Sequence, residues 1–234
     1  MSQLTYKHPR AVRWLHWLNV PLLGLMLWSG LLIYRANDVY RIGWGDVTLV
    51  HFFPREVYDL LRLNGRLAEG MAIHFFVMWL FALNGLLYVL YTLFSGQWRF
   101  LLPDRRSFRD AWQVFVNDLG LSRARPPQGK FNGAQRIAYT LVILMAAGSL
   151  TTGLAIDQPV QFAWLTALLG GYEWARWEHF WLAAGFVLFI FIHVVQVIRA
   201  GWNNCRSMIT GYEVVSSGEA AHGGKQEPAG TRVG

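Results

Sequence analysis

The chain carries seven histidines in 234 residues. Four of them, His16, His74, His179 and His193, fall inside long apolar runs. An ionisable side chain is expensive there, and one that persists in a membrane span is a functional candidate by default. Imidazole is a common metal ligand and a good axial ligand for haem iron. His179 and His193 stand 14 residues apart in one run. On an α-helix that spacing is ~21 Å of rise and about 40° short of four full turns, so both rings face roughly the same way, one above the other. Two planar cofactors stacked across a bilayer require such an arrangement. Two histidines per iron leave no open position, which suits electron transfer better than oxygen chemistry. The single cysteine, Cys205, leaves no room for a cysteine metal cluster or an internal disulfide. No carboxylate cluster accompanies the histidines to suggest zinc. The four are therefore read as iron ligands for two haems b. His8, His51 and His222 lie in terminal or loop segments and receive no role.

The elements that must position these rings are four apolar blocks, each about as long as a ~30 Å hydrocarbon core demands. Helices are expected at about 13–34, 71–94, 137–156 and 177–198, giving an all-α, integral membrane four-helix bundle. Hydrophobic residues make up 54% of the chain, and charge is nearly absent from the blocks and dense between them. Lys7, Arg10 and Arg13 precede a full-length apolar run with no small-residue cleavage site, so the first block reads as a retained span. Many of the 12 tryptophans stand at block edges, where interfacial aromatics belong.

Orientation follows from counting charges. The N-terminus, the 95–136 loop and the C-terminal segment together hold 15 Lys+Arg and 6 Asp+Glu. Residues 35–70 and 157–176 hold 6 Lys+Arg and 7 Asp+Glu. The positive side is cytoplasmic, so both termini are expected inside. The net charge of +7 is explained by this placement, and no nucleic-acid partner is read from it. With the helices alternating in direction, His16 and His193 lie near the cytoplasmic face and His74 and His179 near the outer face. A single intramembrane histidine is often only an interhelical hydrogen-bonding residue. Four that sort by depth into two pairs are poorly explained that way.

Residues 1–212 are expected to form the membrane domain and 213–234 a disordered cytoplasmic tail rich in Gly, Ser, Ala and charge. In the outer 35–70 segment, VYDLLRL fits a short amphipathic helix. PVQFAWLTALLGG at 159–171 is apolar but too short to span, and reads as interfacial or re-entrant. Gly24, Gly30, Gly85, Gly148, Gly153 and Gly185 lie within spans, where small side chains make room either for a porphyrin or for close helix packing. Arg13 and Arg35 flank the first span, as topology anchors or as partners for haem propionates.

RxxHW at 13–17, His74 early in the second helix, and His179 and His193 fourteen apart in the fourth resemble a family of bacterial di-haem membrane cytochromes b. It includes the gamma subunit of respiratory formate dehydrogenase, the b-type cytochrome of nickel–iron hydrogenase and the cytochrome b of thiosulfate reductase. The resemblance covers residues from about 7 to about 210. It implies an electron-transfer subunit of an oxidoreductase complex, linking an extracytoplasmic redox subunit (a molybdenum, nickel–iron or iron–sulfur enzyme) to menaquinone or ubiquinone. It also implies the pairing His16/His193 for the inner haem and His74/His179 for the outer one. KFNGAQR, residues 130–136, looks like the Asn-and-Gln segment lining the menaquinone pocket of the formate dehydrogenase subunit. By that likeness Asn132 and Gln135 would hydrogen-bond a quinone carbonyl. Asn132 is equally suited to cap the third helix. The long 35–70 segment departs from the family pattern, and outer loops dock the partner. Two rival functions stand beside this one: a cytochrome serving a small soluble carrier without a catalytic subunit, and a membrane protein whose histidines hold no haem.

Overall fold

In hydrocarbon a chain must satisfy its own backbone polar groups, and each long apolar run does so as one continuous helix. The computed structural model describes residues 2–34, 41–44, 47–51, 55–63, 65–118, 120–121 and 131–216. Element order is β1 (Ser2–Tyr6), α1 (Arg10–Tyr34), β2 (Arg41–Trp44), β3 (Val47–His51), α2 (Arg55–Leu60), α3 (Leu67–Phe94), α4 (Trp98–Leu101), α5 (Arg105–Asp118), α6 (Gly133–Asp157), α7 (Ala163–Leu168), α8 (Tyr172–Ala200), α9 (Trp202–Thr210) and β4 (Tyr212–Ser216). Among the described residues α1, α3, α6 and α8 are the helices long and apolar enough to cross a membrane. The protein is an all-α membrane protein, with four spans and two short strand pairs among the described residues. Each span starts three to five residues before the block read from hydropathy, because polar first-turn residues such as Glu69 and Glu173 are already helical.

The chain divides into two compact units. The first comprises Met1–Trp14, Thr92–Leu141 and Phe189–Gly234, the second Leu15–Tyr91 and Val142–Leu188. In the first unit β1 and β4 pair antiparallel from Ser2↔Ser216 to Tyr6↔Tyr212, so the two ends of the described chain lie on one side. Lys7 bridges Glu213 at 2.9 Å, and the Arg13 guanidinium donates to the Ile209 carbonyl. Arg13 thus ties α1 to α9. Residues 213–216, counted above with the tail, instead complete β4, while 217–234 lie outside the described residues. Asp104 caps α5: its carboxylate accepts the Ser107 N–H at 2.8 Å and the Ser107 hydroxyl at 2.8 Å. These bonds, with a smaller attraction from Arg136, hold the Asp104 carboxyl below the usual carboxylate range. Gly133 opens α6 in close contact with α5. A Cβ there would lie 2.8 Å from the Asp110 Cβ and would also strike the Ser107 carbonyl oxygen.

In the second unit α1 and α3 meet closely at Gly70, where a Cβ would stand 2.6 Å from the Leu32 Cβ. Leu32 and Leu63, each 1% exposed, form a core with Trp28, Leu31 and Tyr34. A second core joins Ala155, Leu165 and Ala175, seating α7 against α6 and α8. The 159–171 segment is therefore a turn and short helix, and Arg55–Leu60 takes the place expected for VYDLLRL. The outward helix faces are bare of protein, with Phe76 at 68% and Leu83 at 53% exposure. Such surface is stable against lipid, not water.

Candidate haem-binding site

His74 is the eighth residue of α3 and His179 the eighth of α8. Both lie in the second unit, with ring centroids 6.2 Å apart and planes at 72°. Two imidazoles bound through one nitrogen each to opposite faces of a single metal, at ~2.0–2.1 Å per bond, have centroids ~6 Å apart. The spacing therefore fits the bis-His donor set that a haem b iron takes.

The rings are held by hydroxyls that sequence reasoning missed. Ser29 Oγ on α1 lies 2.8 Å from His74 Nδ1. Thr152 Oγ1 on α6 lies 2.9 Å from His179 Nδ1. Ser29 is 0% and Thr152 3% exposed. Beside each hydroxyl is a glycine that faces the ring: a Cβ on Gly30 would meet His74 Cε1 at 3.7 Å, and one on Gly153 would meet His179 Cε1 at 3.4 Å, both ordinary contact distances. The two arrangements share a register. Ser29 stands five residues before the end of α1 at Tyr34, and Thr152 five before the end of α6 at Asp157. The faint sequence signal is the dipeptide hydroxyl–glycine, Ser29-Gly30 and Thr152-Gly153, at the matching ends of two spans.

Of the other span glycines, Gly148 packs on Leu182 and Gly185 on the Met145 sulfur at 3.0 Å, while Gly24 and Gly85 have nothing described within 4 Å of an added Cβ. Gly30 and Gly153 are thus the ones brought to the histidines. Asn84, 4% exposed in α3, donates to the Leu15 carbonyl at 3.1 Å and to Asn19 Oδ1 at 3.2 Å, a polar tie between α1 and α3 that hydropathy alone did not reveal.

His16 belongs to the second unit and His193 to the first. The His16 ring meets Trp17 edge-on at 5.4 Å, and the His193 ring stacks on Phe189 at 5.8 Å and 10°. Arg35 and His222 lie outside the described residues. Asn132 and Gln135 form a reciprocal cap on α6. The Gln135 N–H donates to Asn132 Oδ1 at 2.9 Å, and the Asn132 N–H donates to Gln135 Oε1 at 3.0 Å. Because each side-chain oxygen accepts, each NH₂ faces away from its cap bond and remains a donor for another acceptor.

A family model for prokaryotic cytochrome b561 matches residues 7–211. The chain belongs to the prokaryotic cytochrome b561 family. A curated relative, the putative protein-methionine-sulfoxide reductase subunit YedZ1 of Azospira oryzae, is 33% identical over 199 residues, covering 84% of this chain and 93% of the relative. Cytochromes b561 bind haem b, as the resemblance read from RxxHW and the later histidines implied. This cytochrome b561 is a multi-pass protein of the bacterial inner membrane and a membrane electron-transfer subunit.

Proposed function

We propose that this cytochrome b561 carries electrons between the quinone pool and an extracytoplasmic redox partner, holding two haems b: one on His74/His179 and one on His16/His193. The observation that carries the reading is the His74–His179 pair, two imidazoles 6.2 Å apart with both Nδ1 atoms beside buried hydroxyls. The second pair rests on depth in the sequence. When bound, haem b supplies a one-electron iron couple. His74 and His179, and His16 and His193, would supply nitrogen ligands to the iron, and the chain would set the orientation of their rings within an apolar surround. The charge count supports cytoplasmic termini, with His74/His179 toward the outer face. The name of the Azospira relative supports a reductase as the partner, which would draw electrons outward from quinol.

Quinone is assigned to the cytoplasmic side, at Asn132 and Gln135. The cap fixes both side chains by their oxygens and presents their NH₂ groups, the donors a quinone carbonyl needs. Asn132→Ser and Gln135→Glu each keep an oxygen for the cap and delete the NH₂. Each variant is expected to retain both haems and slow reoxidation of the reduced protein by a menaquinone analogue several-fold, as loss of a hydrogen bond worth ~0.5–1.5 kcal/mol predicts. Stopped-flow absorbance checks this, and wild-type rates in both variants would remove the quinone assignment.

A further inference from the structure

We propose that Ser29 and Thr152 are positioning residues that fix the tautomer and tilt of His74 and His179, so that each ring offers Nε2 to iron with its proton on Nδ1. The proposal rests on the ligand assignment above. Each hydroxyl has one proton. Ser29 Oγ donates it to the Leu25 carbonyl at 2.7 Å, one turn back in α1. Thr152 Oγ1 donates to the Gly148 carbonyl at 2.8 Å, one turn back in α6. The 2.8 and 2.9 Å contacts to the rings must then run the other way, with Nδ1–H donating to oxygen. Protonated Nδ1 leaves Nε2 with its lone pair free for a metal.

The two relays have the same parts in the same order: a carbonyl at i−4, a buried hydroxyl, an imidazole, and a glycine at the next position, on α1/α3 and on α6/α8. A structural serine in a membrane helix needs only its own i−4 carbonyl. Here the second lone pair of each hydroxyl is directed at a histidine on the neighbouring helix. Hydrogen bonds to the far nitrogen of a metal-bound imidazole orient the ring and raise its basicity. A more basic ligand favours ferric over ferrous iron, so these bonds hold the potential of that haem down.

The experiment is an optical redox titration of full-length holoprotein in detergent, with haem content measured in parallel. Thr152→Val keeps the shape and removes the acceptor. Thr152→Ser keeps the hydroxyl. Ser29→Ala removes the other acceptor, and His179→Ala identifies the component belonging to this site. Thr152→Val is expected to move that component to higher potential, by about 59 mV for a tenfold loss of preference for ferric over ferrous iron. Ser29→Ala should move the same component the same way, while Thr152→Ser titrates like wild type and the second component stays fixed. Loss of that haem in Thr152→Val with retention in Thr152→Ser also supports the proposal. Unchanged potentials in both Thr152→Val and Ser29→Ala would overturn it, as would an equal shift in Thr152→Ser, the signature of packing alone. In those cases, if His179→Ala still removes the component, the ligand assignment survives. If His179→Ala keeps both haems, the ligand assignment itself is wrong and the proposal falls with it.

Discussion

Replacing His74 or His179 with alanine is expected to leave a folded protein with one haem b, and the two variants should lose the same one. The iron at that site would keep one protein ligand and face an apolar gap on the other side. Loss of an axial imidazole removes half of the protein's bonds to the metal, an effect larger than the 10–100-fold typical of disturbing an outer partner. The fold should persist. Ser29 and Thr152 keep their bonds to Leu25 and Gly148, so neither buried hydroxyl is stranded when its histidine goes. His16→Ala and His193→Ala should do the converse, removing the other haem together. Redox titration of the alpha band identifies which component is missing in each variant. Loss of different components from His74→Ala and His179→Ala would break the pairing.

Gly70→Val is expected to cost most of the folded protein, and Gly70→Ala to lower thermal stability and deplete the His74/His179 haem first. An added Cβ at Gly70 would stand 2.6 Å from the Leu32 Cβ, 3.2 Å from the Ser29 carbonyl oxygen and 3.3 Å from Ile33 Cγ1. Leu32 is 1% exposed and locked against Leu63, so it has nowhere to move. The helices must separate by several tenths of an ångström, and overpacking of this kind costs ~1–3 kcal/mol. Ser29, part of the same contact, holds His74. Separation of α1 from α3 therefore stretches the ring's hydrogen bond as well as the core. Gly24→Ala and Gly85→Ala meet nothing within 4 Å and serve as controls. Thermal denaturation with haem quantitation checks this, and a Gly70→Ala protein matching the controls would show that the close approach is not limiting.

Much of this molecule was readable before any coordinates. The four spans announce themselves because charge vanishes for a bilayer's thickness and returns. The histidines follow from them, since an ionisable residue stands out against an apolar run. The Asn132–Gln135 cap was legible in part, because Asn before a helix and Gln three residues on is a local signature. What escaped has a common cause. Ser29 and Thr152 resemble any membrane-helix hydroxyl until the neighbouring helix shows where their second lone pair points. The pairing of Ser2–Tyr6 with Tyr212–Ser216 joins segments at opposite ends of the chain, and no local pattern encodes it. Helix α5 was hidden inside a charge-dense loop. Its aromatic row, Phe108, Trp112 and Phe115, follows helical spacing, but Arg105, Arg106, Arg109, Asp110 and Asp118 in the same helix mask it in any hydropathy average.

The central claim is that two pairs of intramembrane histidines each hold one haem b. A pyridine haemochrome assay on the purified full-length protein, referenced to protein by amino-acid analysis, tests it most directly. Two haems b per chain are expected, and a value of one or none would contradict the assignment of four histidine ligands.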